Sequence, residues 1–190
     1  EFYRYEDIIK KEDDAGYDKT AFEKMLEIKG DSDHTKLIDM LTDLNDYSIG
    51  IEDVLKEHFD EENIVYWMAF QILMGNVDTQ NRNVYLYSPL NSDIWYFIAW
   101  DNDGCLMRSE YELKNFSDQG SWEKGISNYW GNVLFQRCLK SRSFREKLND
   151  AILELREYLN KDMLISKIES YKNVLKPYLY SMPDAEYEPL

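Results

Sequence analysis

The amino-acid sequence predicts an α+β fold that is mainly α and carries one short β-hairpin. Apolar residues recur at helical spacing over most of the 190-residue chain, a pattern typical of amphipathic helices. Residues 64–74 are apolar on nearly every side, which indicates a buried central helix. Two short apolar runs, residues 84–87 and 94–100, are separated by a polar turn and are expected to pair as the hairpin. A chain of this length is expected to form one domain with a substantial core.

The chain divides into six predicted segments. They are a connector (residues 1–17), a helical region (18–75), a motif on the hairpin (76–104), a loop (105–127), a second helical region (128–177) and a tail (178–190). The first helix is predicted to begin at Asp18 or Thr20 and to end at Gly30, because Asp and Thr cap helix N-termini and Gly favours C-termini. The last helix is predicted to stop at Pro177, because proline lacks a backbone N–H donor.

Three further helices are expected between the first helix and the hairpin. One begins at residues 31–33 and buries a stripe formed by Leu37, Ile38, Met40, Leu41 and Leu44. The next spans residues 51–58. The central helix follows Asp60 or Glu61 and ends at Gly75, which delivers the chain directly into the hairpin motif.

Composition excludes several classes of function. The chain carries 22 basic and 37 acidic residues, a formal net charge of −15. A binder of nucleic acid or of an anionic membrane needs a basic face, so neither partner is expected. No apolar run is long enough for insertion into a membrane. Cys105 and Cys138 are expected to be free thiols, and with His34 and His58 in different predicted helices a Cys/His zinc site is excluded.

Polar turns flank the predicted hairpin and carry the candidate site residues. Asp78 and Asn83 precede the first strand, and Asp101 and Asp103 follow the second. Because both of these turns lie at the same end of a hairpin, the four side chains are expected to converge. Carboxylate and amide oxygens suit hard cations such as Mg²⁺ or Mn²⁺. The sequence therefore predicts a divalent-metal site at the open end of the hairpin.

The spacing of these residues indicates phosphoryl-transfer chemistry. In protein kinases a catalytic-loop Asp accepts the substrate proton, an Asn that follows with D-x-x-x-x-N spacing binds metal, and a later Asp binds metal that bridges the ATP phosphates. Asp78 and Asn83 reproduce that spacing. The chain differs from an ordinary eukaryotic-type kinase, because Asn76-Val77 stands where His-Arg is expected and no Phe-Gly follows Asp101.

The combination of N-x-D-x-x-x-x-N, a Tyr-Leu-Tyr strand and a second strand ending in Trp-Asp-x-Asp resembles the CotH family, atypical kinases named after a spore-coat protein. Members of that family usually carry Pro before Trp-Asp, where this chain has Ala99. The resemblance implies a protein-kinase-like C-terminal lobe that transfers the γ-phosphoryl group of ATP to Ser or Thr hydroxyls of a protein substrate. It further implies that Asp78 is the catalytic residue and orients the hydroxyl, while Asn83, Asp101 and Asp103 hold Mg²⁺ or Mn²⁺. A spore-coat or cell-surface location follows from the same resemblance.

Part of the kinase machinery has no counterpart in the sequence. A kinase also needs a Gly-rich loop over the phosphates and a Lys that pairs with them. No Gly-rich loop pattern occurs in the chain, so no nucleotide-binding residue is assigned. The sequence opens on Glu1 rather than Met, and we expect a fragment from which an N-terminal, nucleotide-covering lobe has been trimmed. Such a fragment alone is expected to transfer phosphate poorly.

Other interpretations come from different functional classes. A catalytically inactive kinase-like binding module shares every feature above, so only activity separates it from a kinase. An acidic surface or adhesion module that binds divalent cations is suggested by the 101–104 turn, but an EF-hand requires an oxygen ligand and a Gly where Cys105 and Leu106 stand. A glycoside hydrolase with two carboxylates leaves Asn83 without a role.

Overall fold

The computed structural model describes residue 15, residues 33–76, residue 79, residues 83–106, residue 129 and residues 131–187. Its elements are the helices α1 (Thr35–Asn45), α2 (Ile51–His58) and α3 (Glu61–Leu73), the strands β1 (Tyr85–Tyr87) and β2 (Tyr96–Ile98), a 3-10 turn (Asn102–Gly104), the helices α4 (Val133–Lys140), α5 (Arg142–Tyr158) and α6 (Lys161–Leu179), and a 3-10 helix (Asp184–Tyr187). Within these residues the fold is mainly helical with a two-stranded antiparallel hairpin, which confirms the predicted fold class. The predicted helix from Asp18 or Thr20 to Gly30, and most of the predicted 105–127 loop, lie outside the described residues.

Helices α1 and α2 form where predicted because their apolar residues share one face, although α1 begins at Thr35 rather than at residues 31–33. Helix α1 buries four residues of the predicted stripe, namely Leu37, Ile38, Met40 and Leu44. Helix α2 has the predicted bounds and buries Ile51, Val54 and Leu55. The buried guanidinium of Arg137, on α4, donates hydrogen bonds to the carbonyl groups of Leu44 and Ile49. These bonds fix the connection between the two helices.

Helix α3 is the buried centre of the fold, as its all-round apolar sequence predicts. Its N-cap is Asp60, whose Oδ1 accepts a hydrogen bond of 2.8 Å from the backbone N–H of Asn63. The side chains of Ile64 and Met68 are fully buried, and the helix packs along α5 and against β2. Gly75 follows with a φ of 60°, a conformation that costs glycine little. The helix therefore ends directly before the hairpin motif.

Side chains from α1 and α3 hold the hairpin on the helices. The strand pairs are Tyr85 with Ile98, Leu86 with Phe97, and Tyr87 with Tyr96. Along the outer edge of β2, Asn63 Oδ1 accepts a hydrogen bond from the Phe97 N–H at 2.7 Å, and Asn63 Nδ2 donates to the Phe97 carbonyl at 3.2 Å. At the closed end of the hairpin, Lys36 Nζ donates to Ser88 Oγ at 3.1 Å and to the Pro89 carbonyl at 2.7 Å. The orientation of the hairpin is thus set by the helices beneath it.

The C-terminal helices include a correction to the prediction. Helix α6 does not stop at Pro177 but continues through it to Leu179. The fixed φ of proline is compatible with a helix, and its missing N–H removes one backbone hydrogen bond without forcing the helix to stop. Ser181 Oγ donates to the Pro177 carbonyl at 2.7 Å and completes the final turn. Within the described ranges, no helix has the length and apolarity that crossing a membrane requires.

Candidate functional site

The register of the hairpin brings the turn before β1 close to the turn after β2. Tyr85, the first residue of β1, pairs with Ile98, the last residue of β2. Asn83 lies two positions before this pair and Asp101 three positions after it, and neighbouring strands run about 4.8 Å apart. The half-exposed ring of Trp100 extends the pairing, because its centroid lies 5.2 Å from that of Tyr85. Asn83 and Asp101 therefore lie at the same end of the hairpin.

Asn83 and Asp101 share an unusual backbone conformation. Their φ angles are 55° and 50°, in the left-handed region. This conformation costs a residue other than glycine on the order of 1–3 kcal/mol, although Asn and Asp tolerate it better than most. At Asp101 it turns the chain out of β2 and into the 3-10 turn, and the Asp101 side chain does not cap that turn. Backbone strain of this kind clusters at functional sites, and here it falls on two of the three candidate residues that the structure describes.

Side chains in the turn after β2 alternate between solvent and the interior. Asp101 and Asp103 are exposed, whereas Asn102 is partly buried and Gly104 is buried. Asn83, across the hairpin end, is also partly buried. The carboxylates of Asp101 and Asp103 are therefore accessible to a cation or a phosphate group from solution.

The predicted catalytic residue, Asp78, lies outside the described residues. Its described neighbours show how the surrounding loop is anchored. Asn76 is 1% exposed and Thr79 is fully buried. Asn76 and Thr79, on either side of Asp78 in the sequence, therefore both lie in the interior.

Three side-chain amides connect the two halves of the site, and we call them the carboxamide cluster: Gln71, Asn76 and Asn102. Asn102 Oδ1 accepts hydrogen bonds from Gln71 Nε2 at 3.1 Å and from Asn76 Nδ2 at 3.3 Å. Asn76 Nδ2 also donates to Gln71 Oε1 at 2.9 Å. None of these residues has a role predicted from the sequence. A signal was present, because Gln71 is the single polar residue in the apolar run at residues 64–74.

The thiol of Cys105 lies beside this turn and is partly buried. Partial burial raises the pKa of Cys105, and the nearby Asp103 carboxylate raises it further, while a hydrogen bond from Asn76 lowers it. A thiol with a raised pKa stays protonated at neutral pH and is a poor nucleophile and metal ligand. Cys105 and Cys138 are both free, as predicted.

The donors at the hairpin end are oxygen atoms, which fit a hard cation. Asn83 offers an amide oxygen, and Asp101 and Asp103 offer carboxylates, the donor types that Mg²⁺ and Mn²⁺ prefer. Among the residues that the structure describes, no three His, Cys, Asp or Glu side chains gather as a metal site. The described part of the candidate set contributes two carboxylates and one amide, with Asp78 outside it.

A separate open cavity of about 480 Å³ lies near the closed end of the hairpin, away from the 101–104 turn. Its walls come from α2, the start of α3, β2 and α5, and they carry charges of both signs. The lining residues are Glu52, Lys56, Phe59, Asp60, Glu61, Ile94, Tyr96 and Lys147. An ion pair of 2.6 Å joins two of these residues, Lys147 and Glu61.

Comparison with known proteins gives one match. The family model described as CotH kinase protein matches residues 1–190, the whole chain. The match includes every element described above and the 76–104 motif. No curated protein and no solved structure matches the chain at a significant level.

Proposed function

Because the chain belongs to the CotH kinase family, we propose that it carries the site of an atypical protein kinase, in a lobe equivalent to the C-terminal lobe of protein kinases. The reaction is transfer of the γ-phosphoryl group of ATP to Ser or Thr hydroxyls of a protein. The observation that supports this proposal is the hairpin register, which brings Asn83 and Asp101 to one end of the hairpin. Kinases order their catalytic Asp, their metal-binding Asn and their metal-binding Asp along the chain in the same way.

In this proposal the residues at the hairpin end hold a divalent cation. Asp101 and Asn83 are the principal ligands for Mg²⁺ or Mn²⁺, and Asp103 is a further ligand or orients the others. When bound, the cation would supply positive charge that offsets the negative charge developing on the transferred phosphoryl group. The exposed position of both carboxylates suits a site that receives a nucleotide from solution.

Asp78 has a different role, because it acts on the acceptor rather than on the nucleotide. Its carboxylate accepts a hydrogen bond from the attacking Ser or Thr hydroxyl and takes the proton as the new P–O bond forms and the bond from the γ-phosphorus to the leaving ADP oxygen breaks. The barrier to phosphoryl transfer is lowered mainly by positioning and by charge neutralisation. The rigid attachment of the hairpin to α1 and α3 supports this view, since a preformed site needs no rearrangement during the reaction.

The test is phosphoryl transfer from γ-labelled ATP by the purified full-length protein with Mg²⁺ or Mn²⁺. Two site variants, Asp78→Asn and Asp101→Ala, are compared with Asp93→Asn, a matched change at an exposed Asp on the closed end of the same hairpin. We expect wild type and Asp93→Asn to transfer phosphate equally. We expect both site variants to lose transfer while keeping the wild-type circular dichroism spectrum.

Two results count against the proposal. If wild-type protein binds Mn²⁺ and ATP but transfers no phosphate to itself or to generic protein acceptors, the chain is a binding module that retains the kinase fold. If Asp78→Asn and Asp101→Ala transfer phosphate as fast as wild type, the activity belongs to another site.

A further inference from the structure

We propose that the carboxamide cluster is the positioning device of the site, which sets where the turn carrying Asp101 and Asp103 lies relative to the loop that begins at Asn76. This inference rests on the proposed function, because it concerns the same metal site. The cluster residues touch neither metal nor substrate in this account. They act through the candidate ligands beside them.

The positions of the three amides in the chain give the first argument. Gln71 belongs to α3, Asn76 starts the loop that leads to Asp78, and Asn102 stands between Asp101 and Asp103. Each segment that builds the site therefore contributes one amide. The bond from Asn76 to Asn102 joins residues that are 26 positions apart, whereas Gln71 and Asn76 are 5 apart. The cluster connects the helix, the loop and the turn at a single point.

Burial and hydrogen-bond geometry give the second argument. Gln71 and Asn76 are each 1% exposed, and hydrogen bonds shielded from water are stronger and more costly to lose. Both donate to the same atom, Asn102 Oδ1. An oxygen held by donors from two different segments has little freedom to move. Asn102 thus faces the interior, while the acidic residues on either side of it face solvent.

A separate backbone contact holds one end of the turn independently of the cluster. The Leu106 N–H donates to the Met74 carbonyl at 2.8 Å, so the far end of the turn stays tied to the end of α3 whatever side chain stands at position 102. Loss of the Asn102 amide would release only the end of the turn that follows β2, where Asp101 lies. Groups that orient metal ligands in this way influence affinity without binding the metal themselves.

Mn²⁺ binding to the purified full-length protein tests the proposal, with free Mn²⁺ counted by its EPR signal. Asn102→Leu keeps the size of the side chain and removes the acceptor, and we expect the dissociation constant to rise about 10–100-fold, as for loss of groups that orient metal ligands. Asn102→Asp keeps an acceptor oxygen and is expected to bind at least as tightly as wild type. Asn45→Leu is the matched control, since it removes a 2.7 Å bond to the Leu41 carbonyl in α1 and should leave the dissociation constant unchanged.

The outcomes separate this inference from the proposed function. If Asn102→Leu binds Mn²⁺ within roughly twofold of wild type while Asp101→Ala has lost binding, the metal site stands and the positioning role is wrong. The role is also wrong if Asn102→Asp binds as weakly as Asn102→Leu, because the acceptor oxygen would then not matter. If wild type itself binds no Mn²⁺, the proposed metal site fails and the positioning role fails with it. Should Asn102→Leu not fold, Gln71→Met removes the donor from α3 and carries the same expectation.

Discussion

Replacing Asn63 with Leu is expected to destabilise the protein by about 2 kcal/mol, since each of two lost hydrogen bonds contributes a net value of about 1 kcal/mol. The lost bonds are those between the Asn63 carboxamide and the backbone N–H and carbonyl of Phe97, at 2.7 Å and 3.2 Å. Phe97 is only 4% exposed, so water does not replace the amide easily. Leu favours helices over Asn by a few tenths of a kcal/mol, which offsets little of the loss.

Urea unfolding followed by circular dichroism measures the loss in the free energy of unfolding. In thermal unfolding the melting temperature is expected to fall by about 4–8 °C, because 1 kcal/mol corresponds to about 2–4 °C in a chain of this size. Asn45→Leu removes a single side-chain bond at the end of α1 and should cost less than about 1 kcal/mol. Hydrogen exchange at the Phe97 amide should accelerate in the Asn63 variant. A loss below about 0.5 kcal/mol, less than the smallest usual contribution of one such bond, would refute the view that Asn63 holds the hairpin.

Two further predictions concern titrating groups. Ser141 caps α5 through the Phe144 N–H, and its hydroxyl donates to Glu52 and lowers the pKa of that carboxyl below 4.5. Ser141→Ala should therefore lower the free energy of unfolding by about 1 kcal/mol at all pH values, because the cap is lost. It should also lose the contribution of the Glu52 hydrogen bond, which is complete above pH 4.5 and disappears as the pH falls through the lowered pKa of Glu52. Urea unfolding across this range measures both losses, and a difference between wild type and variant that does not change with pH contradicts the second. Burial raises the pKa of Cys105 and of the fully buried Cys138. Iodoacetamide should therefore label Cys105 slowly and Cys138 only in denaturant. If no free thiol is found in denaturant without reductant, the assignment of both cysteines as free thiols is wrong.

Helical periodicity accounts for what the sequence predicts well. The bounds of α2 were predicted at the residues observed, because Ile51, Val54 and Leu55 follow a helical period and no competing pattern interrupts them. The central position of α3 was predictable because almost no polar residue interrupts its surface. The end of α6 was predicted wrongly because a proline rule for helix interiors was applied to Pro177, which lies in the last turn. Patterns in the local sequence therefore predict which helices form but do not always predict where they end.

Long-range side-chain bonds could not be predicted in the same way. Asn63 meets Phe97 across 34 positions, and nothing in the local sequence distinguishes it from an ordinary polar residue in a first helical turn. Asn102 likewise suits a turn wherever it occurs, so its inward bond to Gln71 depends on the register of the hairpin. The placement of Asn83 and Asp101 at the same end of the hairpin was predictable because a hairpin has only one open end. The role of Asp78, which lies outside the described residues, stays a prediction.

The hydrogen bonds along the outer edge of β2 determine whether strands of other molecules can pair with it. A strand at the edge of a small sheet offers unpaired backbone groups to strands of other molecules, which is a common route to aggregation. Here the Trp95 N–H donates to the His58 carbonyl at 2.7 Å and the Trp95 carbonyl accepts from the Asp60 N–H at 3.1 Å. Two positions further on, the Asn63 carboxamide occupies both backbone groups of Phe97. One edge of the hairpin is therefore closed to intermolecular strand pairing by α3 and by the segment that joins α2 to it.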